Sequence, residues 1–303
     1  MGLFSTAKKE SQIGIDFLPD GVAVAQVQTG KHNPGGIIRS EFVSAAGQQA
    51  QLEALTEWVR SNGLHKTSCV CLVAGDDCDV YQVERPEVED SEMIPAVTWK
   101  IKDLINYDVS NAVVDSYPMP VSGKNKQQQV RVVAARETVI SSYVDSINST
   151  SLVLDALDVH ELVPSNLHAV QQSAEKSLAL LTLNSGNGLL SVYHDTDLYV
   201  SRDFMIGIEQ LETTSSEDES VFDALLLELQ RSLDYFESFY DIGAVTDLRI
   251  FPQLKITEKM AMYLQNLTNF DIDFIAFAGD DNSPGLEQQC FHAYCAALRG
   301  VNL

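Results

Sequence analysis

Asp155, Asp158, His160 and Glu161 stand in one short stretch and have the side-chain types of a general base or a metal cluster. Their spacing argues against both roles. Asp155 and Asp158 lie three apart on an apolar strand pattern over 152–159, so they point to opposite faces. No further histidine or carboxylate follows at a zinc-site interval. Ser149, Thr150 and Ser151 have no histidine placed to form a nucleophile–base pair. The five cysteines (Cys69, Cys71, Cys78, Cys290 and Cys295) are odd in number and lack metal-ligand spacing. Cys69 and Cys71 alternate on a strand pattern and share a face, which reads as buried, reduced thiols of a cytoplasmic protein.

The charge balance narrows the partners. Asp and Glu number 43 against 20 Lys and Arg, a formal net charge of −23. Such a surface repels phosphate backbones, which disfavours nucleic acid. A basic partner, or one that docks through apolar contacts, fits better. With 45% hydrophobic and 21% charged residues the chain has the profile of a soluble globular protein. No apolar run approaches the roughly 18 to 20 residues that span a bilayer, and 303 residues suggest two domains.

The elements that must position any site repeat. Residues 11–28 read as a hairpin with Leu18-Pro19-Asp20-Gly21 as its turn, followed by a strand at 37–44, a helix at 48–62 ending at Gly63, and a buried strand at 68–74. The same order returns as strands at 177–184, 189–194 and 199–204, a long helix at 219–240 and a strand at 247–251. The long helix has an apolar stripe of Phe222, Leu226, Leu229, Leu233, Phe236 and Tyr240. A helix at 257–269 has Thr257 in N-cap position, and a last helix runs from Pro284 to Arg299 with Gly300 past its end. Between the repeats lies a β-α-β-β-α block over 79–151, with a polar tip at 122–128; the strand at 152–159 is followed by a helix over 161–172. The expected organisation is a first half at 11–78 plus 152–176, an inserted subdomain at 79–151, and a second half at 177–303. An acidic loop at 209–220, with Leu211 as its one large apolar residue, reads as mobile, above all over 213–219.

These features come with a resemblance. The opening Gly2-Leu3-Phe4 before Ile13-Gly14-Ile15-Asp16, the stretch Val132 to Glu137, Leu154 to Val159, the run Glu228-Leu229-Gln230-Arg231-Ser232-Leu233-Asp234-Tyr235-Phe236 and the ending from Cys295 to Arg299 resemble the PilM family of type IV pilus assembly proteins, nearest its MshI-type branch serving the mannose-sensitive haemagglutinin pilus. The resemblance implies an α/β, actin-like (ribonuclease H-like, duplicated) two-domain fold with a small α+β subdomain inserted in the first half. It implies a cytoplasmic scaffold at the inner-membrane face that binds the N-terminal tail of a PilN-like membrane protein. Segments 91–117 and 129–135 are the expected wall of that groove. Contact with the assembly motor ATPase and self-association are further expectations.

The resemblance also implies a place for Mg-ATP, with two hairpin turns wrapping phosphate. The matching residues are Asp16 and Gly21 in the first turn and Gly186 and Gly188 in the second. The loops are degenerate. Pro19 has no N–H to donate and Asp20 brings a negative charge. Asn184 stands where an anionic partner for the cation is expected. The run Ile250-Phe251-Pro252-Gln253-Leu254 has no glycine for close approach to a nucleobase. The expected state is therefore no catalysis and no tightly bound cofactor, with Asp16 accepting N–H groups of its own turn, Gly186 and Gly188 serving as hairpin residues, and Asp158 or Glu161 at most a relic of a water-orienting position. Lys100, Lys102 or Arg202 are the cations that could repair the site. The alternatives are a nucleotide-switched ATPase of the same machinery and a type II secretion L-like cytoplasmic component. Asp16 and Gly186 are expected to face each other across a cleft.

Overall fold

The computed structural model describes residues 11–30, 33–121, 128–167, 177–194, 197–213, 219–275, 277 and 286–301. The chain divides into two units, one of Met1–Tyr117, Arg131–Gln172 and Phe277–Leu303, the other of Pro118–Val130 and Ser173–Ala276.

In the first unit, β1 (Ser11–Leu18) and β2 (Gly21–Gln28) form a hairpin closed by Pro19 and Asp20, with Leu18 opposite Gly21. Proline preset for a turn, followed by Asp, explains the reversal. Strand β3 (Ile37–Ser44) pairs antiparallel with β2, while β4 (Ser68–Val73) runs parallel to β1. Between them, α1 (Gln48–Ser61) buries Leu55, Trp58 and Val59 against Ile13, Ile15, Val22, Cys69 and Cys71. Each fully buried large side chain in that layer stabilises by roughly 1.5–3 kcal/mol. Gly63, at φ 66°, supplies the left-handed residue beyond α1.

The inserted block follows as β5 (Cys78–Glu84), α2 (Met93–Ile101), β6 (Ala112–Pro118), β7 (Gln129–Arg136) and α3 (Glu137–Ser149), its strands ordered β5-β7-β6. Strand β8 (Val153–Val159) then returns beside β4, completing a 5-stranded sheet ordered β3-β2-β1-β4-β8.

The second unit repeats this topology. Strands β9 (Ser177–Leu183), β10 (Gly188–His194) and β11 (Asp197–Phe204), with β12 (Asp247–Phe251) and β13 (Asp271–Phe274), give the order β11-β10-β9-β12-β13. Its helices are α4 (Ile208–Glu212), α5 (Ser220–Tyr240) and α6 (Lys255–Leu267). The apolar stripe of α5 packs on the sheet as its spacing predicts, with Leu225 also fully buried.

The described residues change several expectations. The acidic stretch 209–220 is not wholly a loop: α4 forms over 208–212 because Leu211 is fully buried and the Gln210 side chain accepts from the Gly207 N–H; residues 214–218 lie outside the described residues. Thr257 is not an N-cap but sits inside the first turn of α6, where its hydroxyl bonds the Leu254 N–H and the Pro252 carbonyl. Of the helix expected over 161–172, the described residues show a 3-10 turn at Val163–Asn166 and a helical Leu167, and residues 168–172 lie outside the described residues. The last helix, α7 (Phe291–Ala297), is shorter than the expected 284–299, and Pro284 lies outside the described residues. Helix α7 packs on β1, β2 and β4 of the first unit, whereas the sequence reading assigned it to the second half. Gly14 makes this contact by leaving room for the backbone of Ala293 and Ala297.

Candidate functional site

Strand alternation sends Ile13 and Ile15 into the α1 core and turns Gly14 and Asp16 to the opposite face, where α7 lies. Three ionisable side chains meet there. Asp16 is 1% exposed and both of its carboxylate oxygens lie near His160 Nε2, at 3.0 and 2.9 Å. His160 stands one residue past β8. His292, from the first turn of α7, sets its ring edge-on to His160 with centroids 5.0 Å apart. The ligand atoms of Asp16, His160 and His292 all fall within 4.8 Å of one another.

The neighbours fix this group. Arg299, just beyond α7, pairs with the buried Asp158. Asn166 donates to the Cys295 carbonyl at 3.0 Å, Gln12 to the Arg299 carbonyl at 2.9 Å, and the Tyr294 hydroxyl to the Gly35 carbonyl at 3.1 Å. These bonds hold a short helix that has little length of its own. Desolvation alone would push the His160 pKa down; the hydrogen bond and charge of Asp16, helped by the Val73 backbone, reverse this and raise it. Desolvation and then the nearby His160 push His292 down to about 4. Burial raises the Cys71 thiol well above its ordinary range and Cys290 to about 12, so neither is an activated thiolate.

Asp16 therefore faces His160 and not the N–H groups of its own turn. Nothing in the spacing of His160 announced His292, which comes far later in the chain; its one sequence sign is a lone imidazole among Phe291, Ala293, Ala296 and Ala297. Of the other residues, Asp155 takes the Ser68 hydroxyl and Glu161 pairs with Arg131. Gly21 and Gly188 occupy equivalent places, each opening the second strand of its sheet under an aromatic ring. A Cβ on Gly21 would collide with Phe42, and one on Gly188 with Phe204. Both glycines thus have a packing reason. Gly186 has open space around it. In that turn the Asn184 and Ser185 carbonyls accept from the Ile208 and Glu209 N–H groups, at 2.8 and 2.9 Å. The cations named for repair have partners nearby: Lys100 on the Glu84 carbonyl, Lys102 over Trp99, and Arg202 on Glu228.

A separate cavity of about 540 Å³ opens on the α1 side of the first hairpin. Phe17, Pro19, Gln51, Leu52, Ala74, Ser142 and Tyr143 line it. Gln51 closes its floor by donating to the Leu18 and Gly21 carbonyls at 2.6 and 3.2 Å. The Tyr143 hydroxyl donates to Asp77 at 2.7 Å and accepts from the Ala74 N–H at 3.1 Å. The walls are thus β1, α1 and α3, and the segments 91–117 and 129–135 do not line this cavity.

No protein-family model matches the sequence, and no curated protein matches it. Solved structures do match. A chain of a PilM–PilN type IV pilus biogenesis complex superposes with a TM-score of 0.68 at 17% identity, covering 98% of this chain and 100% of that one. A protein of actin-like ATPase fold and unknown function from Bacteroides thetaiotaomicron matches with a TM-score of 0.50 at 8% identity, covering 92% and 96%. The class is therefore settled: the chain has the duplicated, two-domain actin-like fold. No helix among the described residues is long and apolar enough to cross a membrane.

Proposed function

We propose that this protein is a PilM-like scaffold of a type IV pilus assembly platform, of the mannose-sensitive haemagglutinin type. It works at the cytoplasmic face of the inner membrane and receives the N-terminal tail of a PilN-like protein. The observation that supports this most is the end-to-end structural match to a chain from a PilM–PilN complex. The cavity between the first hairpin, α1 and α3 supplies a seat of suitable character, with apolar side chains from Phe17, Leu52 and Tyr143 beside polar Gln48 and Gln51. A net charge of −23 favours a basic tail. The mannose-sensitive assignment rests on the sequence resemblance alone.

The reading excludes a working ATP site. The residues in place do not fit Mg-ATP: Asp16 is engaged by His160, Pro19 offers no N–H, and Gly21 and Gly188 are packed under Phe42 and Phe204. Thermal denaturation with millimolar Mg-ATP tests this. The expected result is an unchanged midpoint, because a ligand stabilises only the state it binds. A rise of several degrees that disappears in Asp16→Ala would restore the nucleotide-switched reading.

A further inference from the structure

We propose that Asp16, His160 and His292 form a binding site for a transition-metal dication of the zinc class. The group combines one carboxylate and two imidazoles from three separate segments: β1, the turn after β8, and α7. Their ligand atoms lie within 4.8 Å of one another. Ligands 2.0–2.1 Å from a tetrahedral ion sit about 3.3 Å apart. The 2.9 Å separation of Asp16 from His160 Nε2 is already near that edge, and closing the widest separation of the three, 4.8 Å, takes a shift of about 1.5 Å.

The chemistry of the donor set selects the ion. Two nitrogen donors disfavour magnesium and calcium, which take oxygen, and suit zinc or its first-row neighbours. Three protein ligands leave a coordination position open for water or an anionic group. The surroundings match a metal centre in another respect: His160 also hydrogen-bonds the Val73 backbone, the kind of outer contact that orients a ligating imidazole. Asp16, at 1% exposure, is a buried carboxylate for which an adjacent cation offsets the cost of desolvation. On binding, the Nε2 proton that bridges His160 to Asp16 passes to solvent and the ion takes its place. The site sits on the face of β1 opposite the cavity proposed for the tail. It also differs in ligand type from the water-mediated magnesium site that the resemblance implies.

Titration of the full, untagged chain with zinc alone tests the site, with cobalt as a spectroscopic probe. The expected result is one equivalent of zinc bound at micromolar affinity or tighter, undisturbed by excess magnesium. Asp16→Asn and His292→Gln should each weaken it at least tenfold while the far-ultraviolet circular dichroism stays unchanged. The cobalt form of the unaltered protein, which needs no variant to fold, should show hyperfine-shifted proton signals from two histidine rings and no thiolate charge-transfer band. Absence of saturable one-to-one binding, displacement by magnesium, a thiolate band, or affinity unchanged in His292→Gln would overturn the proposal.

Discussion

Gly14→Val should cost the first unit about 3 kcal/mol or more, and full unfolding of that unit is within the expected range. The side chain would enter the space held by the Ala293 carbonyl and the Ala297 N–H, both backbone groups of a packed helix. Neither can rotate away as a flexible side chain does. Relief requires lifting α7 from β1, which strips cover from Ala293, Cys295, Ala296 and Ala297, all 0% exposed. It also moves His292 away from Asp16 and Arg299 away from Asp158. Both tryptophans, Trp58 and Trp99, belong to the first unit. Their fluorescence during urea denaturation therefore reports the loss, as a midpoint shifted to lower denaturant. A midpoint within error of the unaltered protein would contradict this account of how α7 docks.

Phe236→Ala is the counterpart in the second unit. Phe236 is fully buried in the C-terminal part of α5, with its ring edge-on to Tyr199 at 5.6 Å and beside Tyr240 at 5.7 Å. Truncation removes the transfer free energy of the ring and leaves a cavity that neighbouring aromatics fill poorly. The expected loss is about 3–5 kcal/mol. The second unit contains no tryptophan, so tyrosine near-ultraviolet circular dichroism is the appropriate probe. A loss below about 1 kcal/mol would mean that the α5 face is less tightly packed than its burial indicates.

Much of this architecture is legible in the sequence because it is local. The Leu18-Pro19-Asp20-Gly21 turn, the alternation of β2 and the apolar stripe of α5 each depend on residues within a few positions. So does the repeated element order, which the two sheets reproduce strand for strand. What the sequence hides is long-range. Gly14 reads as an ordinary strand glycine until α7 is seen against it. Asp16 reads as a turn acceptor until His160 is brought beside it by the β1-β4-β8 pairing. His292 shares no spacing with either. The start of α6 was misread for a different reason: Thr257 is a good cap by type, but the structure uses its hydroxyl three residues into the helix to bond backward. The cavity was likewise out of reach, because its wall joins α1 to α3 across the inserted block.

The account stands or falls on the tail. A synthetic peptide with the N-terminal cytoplasmic sequence of the host's PilN-like protein, titrated calorimetrically into the full chain, tests this most directly. Ser142→Trp is the informative comparison, since Ser142 lines the cavity from α3 and is only partly buried, so a bulky ring there fills the seat without disturbing the core. The account predicts micromolar, one-to-one binding to the unaltered protein and at least tenfold weaker binding to Ser142→Trp. Absence of binding, or equal affinity for both proteins, would contradict it.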